Sequence, residues 1–337
     1  MSTSTSESLR VASAPKKIKL DQQLIVFLLF LAIFCAFSVF LPGFLALGNI
    51  MAMLRSISVL GILGFGMAVV VIGRGVDLSM VALLAVPTAL IMTLAGAGMN
   101  PTAALAVGFA VAIAVGLLNG VLVAYAEIPS LFTTLATGIG LAGLGQSGLL
   151  AFDVVSWPAQ LDSIRWLGGG MLFGIPSSIL AFGVAAACVS LFLNRMKLGL
   201  FVYSIGDNPS GARTTGIPVR PVMVLQYVIA AVISVSAGLV MASSSGLMDT
   251  RIFNLSLIYD VILVVVLGGV GLSGGRGGVL NVIVGTLLVG TILNGMTIMS
   301  FSYEAQNLIK GMVLLVAISL DSVLNPRNEE TAQQGDI

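Results

Sequence analysis

The sequence predicts an all-α polytopic membrane protein of about ten transmembrane helices, with both termini cytoplasmic and a possible internal repeat. Three observations carry this. Hydrophobic residues make up 58% of the 337-residue chain and charged residues only 9%, against roughly 25% charged in a soluble domain. Apolar runs of about 20 residues, the length a helix needs to cross a hydrocarbon core of about 30 Å, recur along the chain. Lysine and arginine gather on alternate connecting segments, the asymmetry that orients helices in a bilayer. Cytosolic enzymes and nucleic-acid binders are excluded, because 15 Lys and Arg with 14 Asp and Glu cannot cover a soluble surface of this size.

The first 23 residues form a Ser/Thr-rich, then basic, cytoplasmic tail ending in Arg10, Lys16, Lys17 and Lys19. The transmembrane domain is expected over 24–323, opening on an apolar run from Leu24 to about Leu47. That run exceeds the roughly 7–15 residues of a signal-peptide core, so it is read as a retained helix. Further runs lie near 50–72, 80–98, 102–124, 131–150, 176–193, 222–243, 257–272, 279–299 and 305–323, the eighth of the ten being short. A C-terminal cytoplasmic tail, 324–337, follows.

With the N-terminus inside, 11 of the 15 basic residues fall in cytoplasmic segments, among them Arg74, Arg195, Lys197, Arg213, Arg220, Arg276 and Arg327. Only Arg165 and Arg251 fall in outer loops, while Arg55 and Lys310 sit near outer helix ends, where long side chains snorkel. Two loops are long enough to carry structure. The periplasmic loop 151–175 holds Trp157 and Trp166 and suits a short surface helix; the cytoplasmic loop 194–221 is the most polar stretch between the tails. A weak internal echo joins Gly73 to Ser79 with Gly268 to Gly278, each followed by an apolar run and a Leu-Asn-Gly triplet at Leu118 to Gly120 or Leu293 to Gly295. Glycine-interrupted segments in corresponding halves mark many transporters.

Chemistry on this chain is limited. Without histidine, the triads, HExxH metal sites and imidazole relays that need it are excluded, and Cys35 and Cys188 build no zinc site or disulfide framework. No catalytic residue, metal site or cofactor is assigned. None of the five lysines follows a Walker A glycine loop, so ATP, if used, is bound elsewhere. Polar residues inside the bilayer are costly and invite a functional reading. Asn119, Thr133, Thr134, Gln146, Asn294 and Asn307 are the candidates to line a path for a neutral polyhydroxylated solute, with interhelical hydrogen bonding the rival reading for Asn119 and Asn294. Asp260 is expected to be wet or to pair with Arg55 or Lys310. Close-spaced glycines such as Gly138, Gly140, Gly143, Gly145 and Gly148 are read as helix-packing positions.

Three segments resemble the permease subunits of ATP-binding cassette importers for monosaccharides, the ribose-type branch. Gly73 to Ser79 (GRGVDLS), with Gly73, Asp77 and Ser79, is similar to that family's Gly-Gly-Ile-Asp-Leu-Ser, Arg74 replacing the second Gly. Tyr203 to Val219 is similar to its Gly-x-Asn-x-x-Ala-Ala/Ser-Arg-x-x-Gly-Ile loop at Gly206, Asn208, Ala212, Arg213, Gly216 and Ile217. Leu267 to Gly278 resembles its Leu-Gly-Gly-x-Ser-Leu-Ser-Gly-Gly-x-Gly, with Gly268, Gly269, Ser273, Gly274 and Gly275.

The resemblance implies a multi-pass subunit of the bacterial inner membrane. Its partners would be a cytoplasmic ATPase that binds ATP and Mg, a periplasmic sugar-binding protein, and a second permease subunit, either a copy or a paralogue. It also implies that the Asn208 to Ile217 segment is the coupling helix that docks on the ATPase. The loop's own residues agree, since Asn208 or Ser210 can open a short helix there. The expected function is import of a monosaccharide or small polyol by alternating access, against permeases of the same architecture for nucleosides or branched-chain amino acids, or a stand-alone secondary transporter.

Overall fold

The computed structural model describes residues 22–147, 153–254 and 256–324. The basic cluster of the N-terminal tail, Arg327, Gly148 and the start of the outer loop lie outside these residues. The first apolar run is divided: α1 (Gln22–Phe40) stops before Pro42 and Gly43, and α2 (Leu47–Ile72) begins inside what the sequence placed in one helix. Proline cannot donate within a helix, and Gly43 takes φ 82, so the chain turns back there. Next come α3 (Met80–Gly96), α4 (Pro101–Ala124) and α5 (Ser130–Gln146). An outer cap of β1 (Val154–Ser156), a 3-10 turn (Ala159–Ile164), α6 (Trp166–Gly169), β2 (Met171–Leu172) and β3 (Ile175–Pro176) leads into α7 (Ser177–Arg195).

The polar loop 194–221 is itself mostly helical, as α8 (Lys197–Asp207) and α9 (Pro209–Thr214). Gly199, Val202, Ile205 and Gly206 are buried at helical spacing, so α8 lies with one face on the bundle. The long α10 (Val219–Ser245) is followed by β4 (Leu247–Asp249), α11 (Leu257–Leu267), α12 (Val279–Ile298) and α13 (Tyr303–Leu324). Each of the ten apolar runs thus falls on a helix. Among the described residues α1, α2, α4, α7, α10 and α12 are long and apolar enough to cross a membrane, and α3 and α11 are shorter apolar helices.

The expectation of a purely helical chain is corrected at the outer cap, which carries two small antiparallel sheets. One pairs β1 with β4 in the register Val154 to Asp249, and the other pairs β2 with β3.

The core forms around α2, in which every residue from Leu60 to Ile72 is buried, and around α3 and α10 packed against it. α4 carries a stripe of small residues every fourth position, Ala104, Gly108, Ala112, Gly116, Gly120 and Ala124, all buried, with Gly108 against α3 and Gly116 and Gly120 against α10. A Cβ at Gly120 would stand 2.6 Å from the Val224 Cα. This is the small-residue packing that replaces hydrophobic driving force between helices in lipid. The glycines of α5 divide: Gly138 and Gly145 pack against α3 and its lead-in, while Gly140 and Gly143 face open space. Cys35 and Cys188 are exposed. Gln22 lies against Gly269, in the segment whose Gly275 amide bonds the Ile72 carbonyl, so the described chain begins at the end where α2 finishes.

Candidate coupling and translocation site

All three motif segments meet at that end. The first, Gly73 to Ser79, breaks the path from α2 to α3 and is braced by side chains. Asp77 is fully buried, and its Oδ1 accepts from the Ser79 amide at 2.9 Å and the Ser79 hydroxyl at 2.5 Å. Asn119 of α4 donates to Ser79 Oγ at 2.9 Å and accepts from the Thr137 hydroxyl of α5 at 2.6 Å. The Leu78 amide donates to Thr134 Oγ1 at 2.9 Å and the Val76 amide to Ser130 Oγ at 3.2 Å. A non-helical stretch among buried helices leaves backbone groups unpaired, and α4 and α5 supply the partners that water cannot. Gly73 and Gly75 are needed because the side chains of Gln226 and Tyr227 occupy the space a Cβ would take.

The second segment, Leu267 to Gly278, is built from backbone. Gly269, Gly274, Gly275 and Gly277 all take positive φ, the region that glycine enters without steric cost. Its side-chain bonds come from outside or from the following helix: the Tyr203 hydroxyl donates to the Gly277 carbonyl at 2.8 Å, and Asn281 to the Gly268 carbonyl at 2.8 Å. Burial pushes the Tyr203 phenol up, which keeps it a donor.

The third is Tyr203 to Val219, the segment expected to couple to an ATPase. Asn208 caps α9, its Oδ1 accepting from the Gly211 amide at 2.9 Å, with Pro209 in the first turn where no amide is required. Gly216 at φ 82 turns the chain after α9, and the Ile217 amide returns to the Ala212 carbonyl at 3.0 Å. Asn208, Ser210, Arg213, Thr214 and Gly216 are exposed, whereas Ala212 is buried against the bundle. The outward face is therefore Ser210, Arg213 and Thr214. Beside it a groove of about 440 Å³ runs between Tyr125, Arg213, Val219, Arg220 and Pro221. Arg220 there is paired with Glu127 at 2.9 Å and lies over the Tyr125 ring.

At the junction the backbones touch. A Cβ at Gly206 would collide with the Ile72 carbonyl, and the Gly275 amide donates to that same carbonyl at 2.8 Å. Arg74, at φ 69, donates from Nε to the Gly206 carbonyl at 2.7 Å and the Ser273 carbonyl at 2.9 Å, and from Nη2 to the Asp207 carbonyl at 3.0 Å. Neither link is visible in the sequence, where Arg74 reads only as a departure from a glycine pattern.

The six candidates for a solute path are not brought together. Asn119 and Thr134 brace the first break, and Thr133, also buried, has no hydrogen-bond partner for its hydroxyl. Gln146 reaches the Thr250 carbonyl at the outer cap, at 3.3 Å. Asn294 exchanges amide hydrogen bonds with Asn49 at 2.9 and 3.0 Å. Asn307 lies half-buried on α13, three residues before Lys310. Lys310 pairs with Asp260 at 3.0 Å and donates to Ser256 Oγ at 2.6 Å, which decides between the two partners expected for Asp260.

Comparison with known proteins places these features in a lineage. Residues 49–318 match the model of the family described as branched-chain amino acid transport system / permease component. The ribose import permease protein RbsC of Escherichia coli K12 is 29% identical over 304 residues, covering 90% of this chain and 93% of that protein. The Bacillus subtilis ribose import permease protein RbsC is 32% identical over 286 residues, 84% and 88% of the two chains. The L-arabinose ABC transporter permease protein AraH of Azospirillum brasilense is 31% identical over 312 residues, 92% and 89%. No solved structure gives a match.

Proposed function

The chain belongs to the branched-chain amino acid transport system / permease component family, a multi-pass protein of the bacterial inner membrane, and on that premise we propose that it is the permease subunit of an ATP-driven importer of a monosaccharide or similar small polyol. The observation that carries the proposal is the junction: an exposed short helix, α9, whose supporting segment α8 is in backbone contact with both breaks of the bundle. A push on α9 from outside the bundle reaches α2, α3, α11 and α12 through these contacts. Such an arrangement suits alternating access driven by a cytoplasmic ATPase that holds ATP and Mg.

Charge supports the side assignment. The junction end carries Arg74, Arg195, Lys197, Arg213, Arg220 and Arg276, while the outer cap has only Arg165, close to Asp162, and Arg251, bonded to Asp249 at 2.9 Å. Arg251 holds the Asp249 carboxyl below its usual range, so the pair stays ionised. Cytoplasmic segments retain Lys and Arg, and on this reading the junction end faces the cytoplasm with both termini. The outer cap then meets a periplasmic solute-binding protein, and a second permease subunit, a copy or a paralogue, completes the pathway. A neutral solute is favoured because the buried ammonium of Lys310 is already paired with Asp260 and is not left to meet a charged solute.

A second reading, an amino-acid permease, is favoured by the family's description alone. One assay separates the readings: uptake of labelled D-ribose, L-arabinose, leucine and uridine by vesicles holding the assembled transporter, with and without an intact ATPase. Pentose uptake that stops when the ATPase is inactivated is expected. Leucine or uridine uptake in place of pentose would move the substrate class, and uptake that continues without the ATPase would make the chain a secondary transporter.

A further inference from the structure

We infer that Arg74 is a positioning residue that ties the coupling segment to the second break, so that α8 cannot move without carrying the 268–278 turn with it. The inference rests on the importer reading above, and four observations on one residue support it.

The backbone of Arg74 has φ 69, a conformation that favours glycine. An arginine in that conformation stores local strain, which persists only where its surroundings hold it. They do hold it. The carbonyls of Gly206 and Asp207 belong to the last turn of α8, where no helical amide follows to satisfy them. Arg74 fills that need from a different part of the chain, a C-terminal cap in trans, and its positive charge complements the negative end of the helix dipole. The same guanidinium takes the Ser273 carbonyl of the second break. Finally, room for the side chain exists because position 274 is glycine: a Cβ there would overlap Arg74 Cγ.

The base of this strut is firm. Arg74 leaves the first break three residues before Asp77, within the segment that α4 and α5 brace through Asn119, Thr134 and Ser130. The two segments it grips are of another kind: a short helix on the surface and a turn of positive-φ glycines. A planar, five-donor fork can hold both at once, whereas a lysine offers a point charge on a flexible stem. Displacing α8 therefore either drags Ser273 along or costs the Arg74 bonds. That makes the turn, and with it the α11 to α12 connection, follow the coupling segment.

The test uses the complete complex, permease with its ATPase in lipid nanodiscs, and amide hydrogen exchange at rest and after trapping with ATP and vanadate. In the wild-type complex trapping should change exchange in peptides covering 204–208 and 270–277 together. In Arg74→Gly, which suits the left-handed backbone, the 204–208 response should remain and the 270–277 response should fall by about fivefold or more, the size of an ordinary coupling term. A merely structural role would alter exchange at rest and leave the trapped-minus-resting difference alone. Should Arg74→Gly fail to assemble, Arg74→Lys decides, with a reduced 270–277 response expected. A full response at 270–277 in the assembled variant overturns the strut. A wild-type complex with no response at 204–208 overturns the importer reading instead, whatever Arg74 does.

Discussion

The two glycine-bearing breaks of this permease look alike on the page and are held in different ways. Gly73 to Ser79 sits among buried side chains, and its hydrogen bonds run through Asp77, Ser79, Asn119, Thr134 and Thr137, so that three helices share one polar network. Leu267 to Gly278 has no such interior. Positive-φ glycines shape it, and it is fastened by single bonds from Arg74, Tyr203, Asn281 and the Gly275 amide. Buried polar networks shared among several helices specify one arrangement and resist change. A turn fastened from its edges can be moved by whatever holds the edges. The first break is thus the anchor and the second the part that responds.

Substitutions can break or sharpen that contrast. The largest effect is expected at Gly206, where both breaks and α8 come into backbone contact: Gly206→Ala forces its Cβ onto the Ile72 carbonyl and should abolish transport, read as vesicle uptake falling by about tenfold or more. Next is Asn119→Leu, which removes the donor to Ser79 Oγ and the acceptor of the Thr137 hydroxyl in a dry interior and should lower stability by about 2–3 kcal/mol, read by unfolding in detergent. Gly275→Ala tests the second break by its own rule, backbone conformation and close approach: at φ 71, with its Cβ 2.9 Å from the Asp207 amide nitrogen, an alanine should cost at least about 1–2 kcal/mol. Asn281→Leu has the smallest expected effect, about 1 kcal/mol, since one donor to the Gly268 carbonyl is lost from a half-buried site. If Asn119 and Asn281 proved equally costly, the distinction between anchor and responsive turn would fail.

Much of this was legible in the sequence because hydropathy and turn chemistry are local. Ten apolar runs fall on ten helices, and Asn208 with Pro209 announces the start of α9. Helix ends were less legible: Pro42 and Gly43 sit in an apolar run whose composition alone suggests one continuous helix. The Ala/Gly stripe of α4, with its regular spacing of four, was available and is a better packing signal than the denser glycines of α5, two of which face open space. The strand pairing of Val154 with Asp249 was not legible, because residues so distant in the chain leave no local pattern. Nor was the fate of Asn119 or Asn294: an amide in a membrane helix reads the same whether it meets a solute, Ser79 or Asn49.

The most direct test of the account places one charge reversal at each end of the bundle. Arg213 is exposed on α9 and Arg165 on the outer cap. A charge-assisted hydrogen bond from Arg213 to the ATPase would be worth about 1.5–3 kcal/mol. ATP hydrolysis stimulated by the solute-binding protein, measured in reconstituted vesicles, should therefore fall by about tenfold or more in Arg213→Glu. In Arg165→Glu the contact with the ATPase should remain intact, as judged by co-purification of the two subunits. Full stimulation in Arg213→Glu, with the mutant chain inserted and assembled as in the wild type, would contradict the assignment of α9 as the surface through which ATP hydrolysis reaches the bundle.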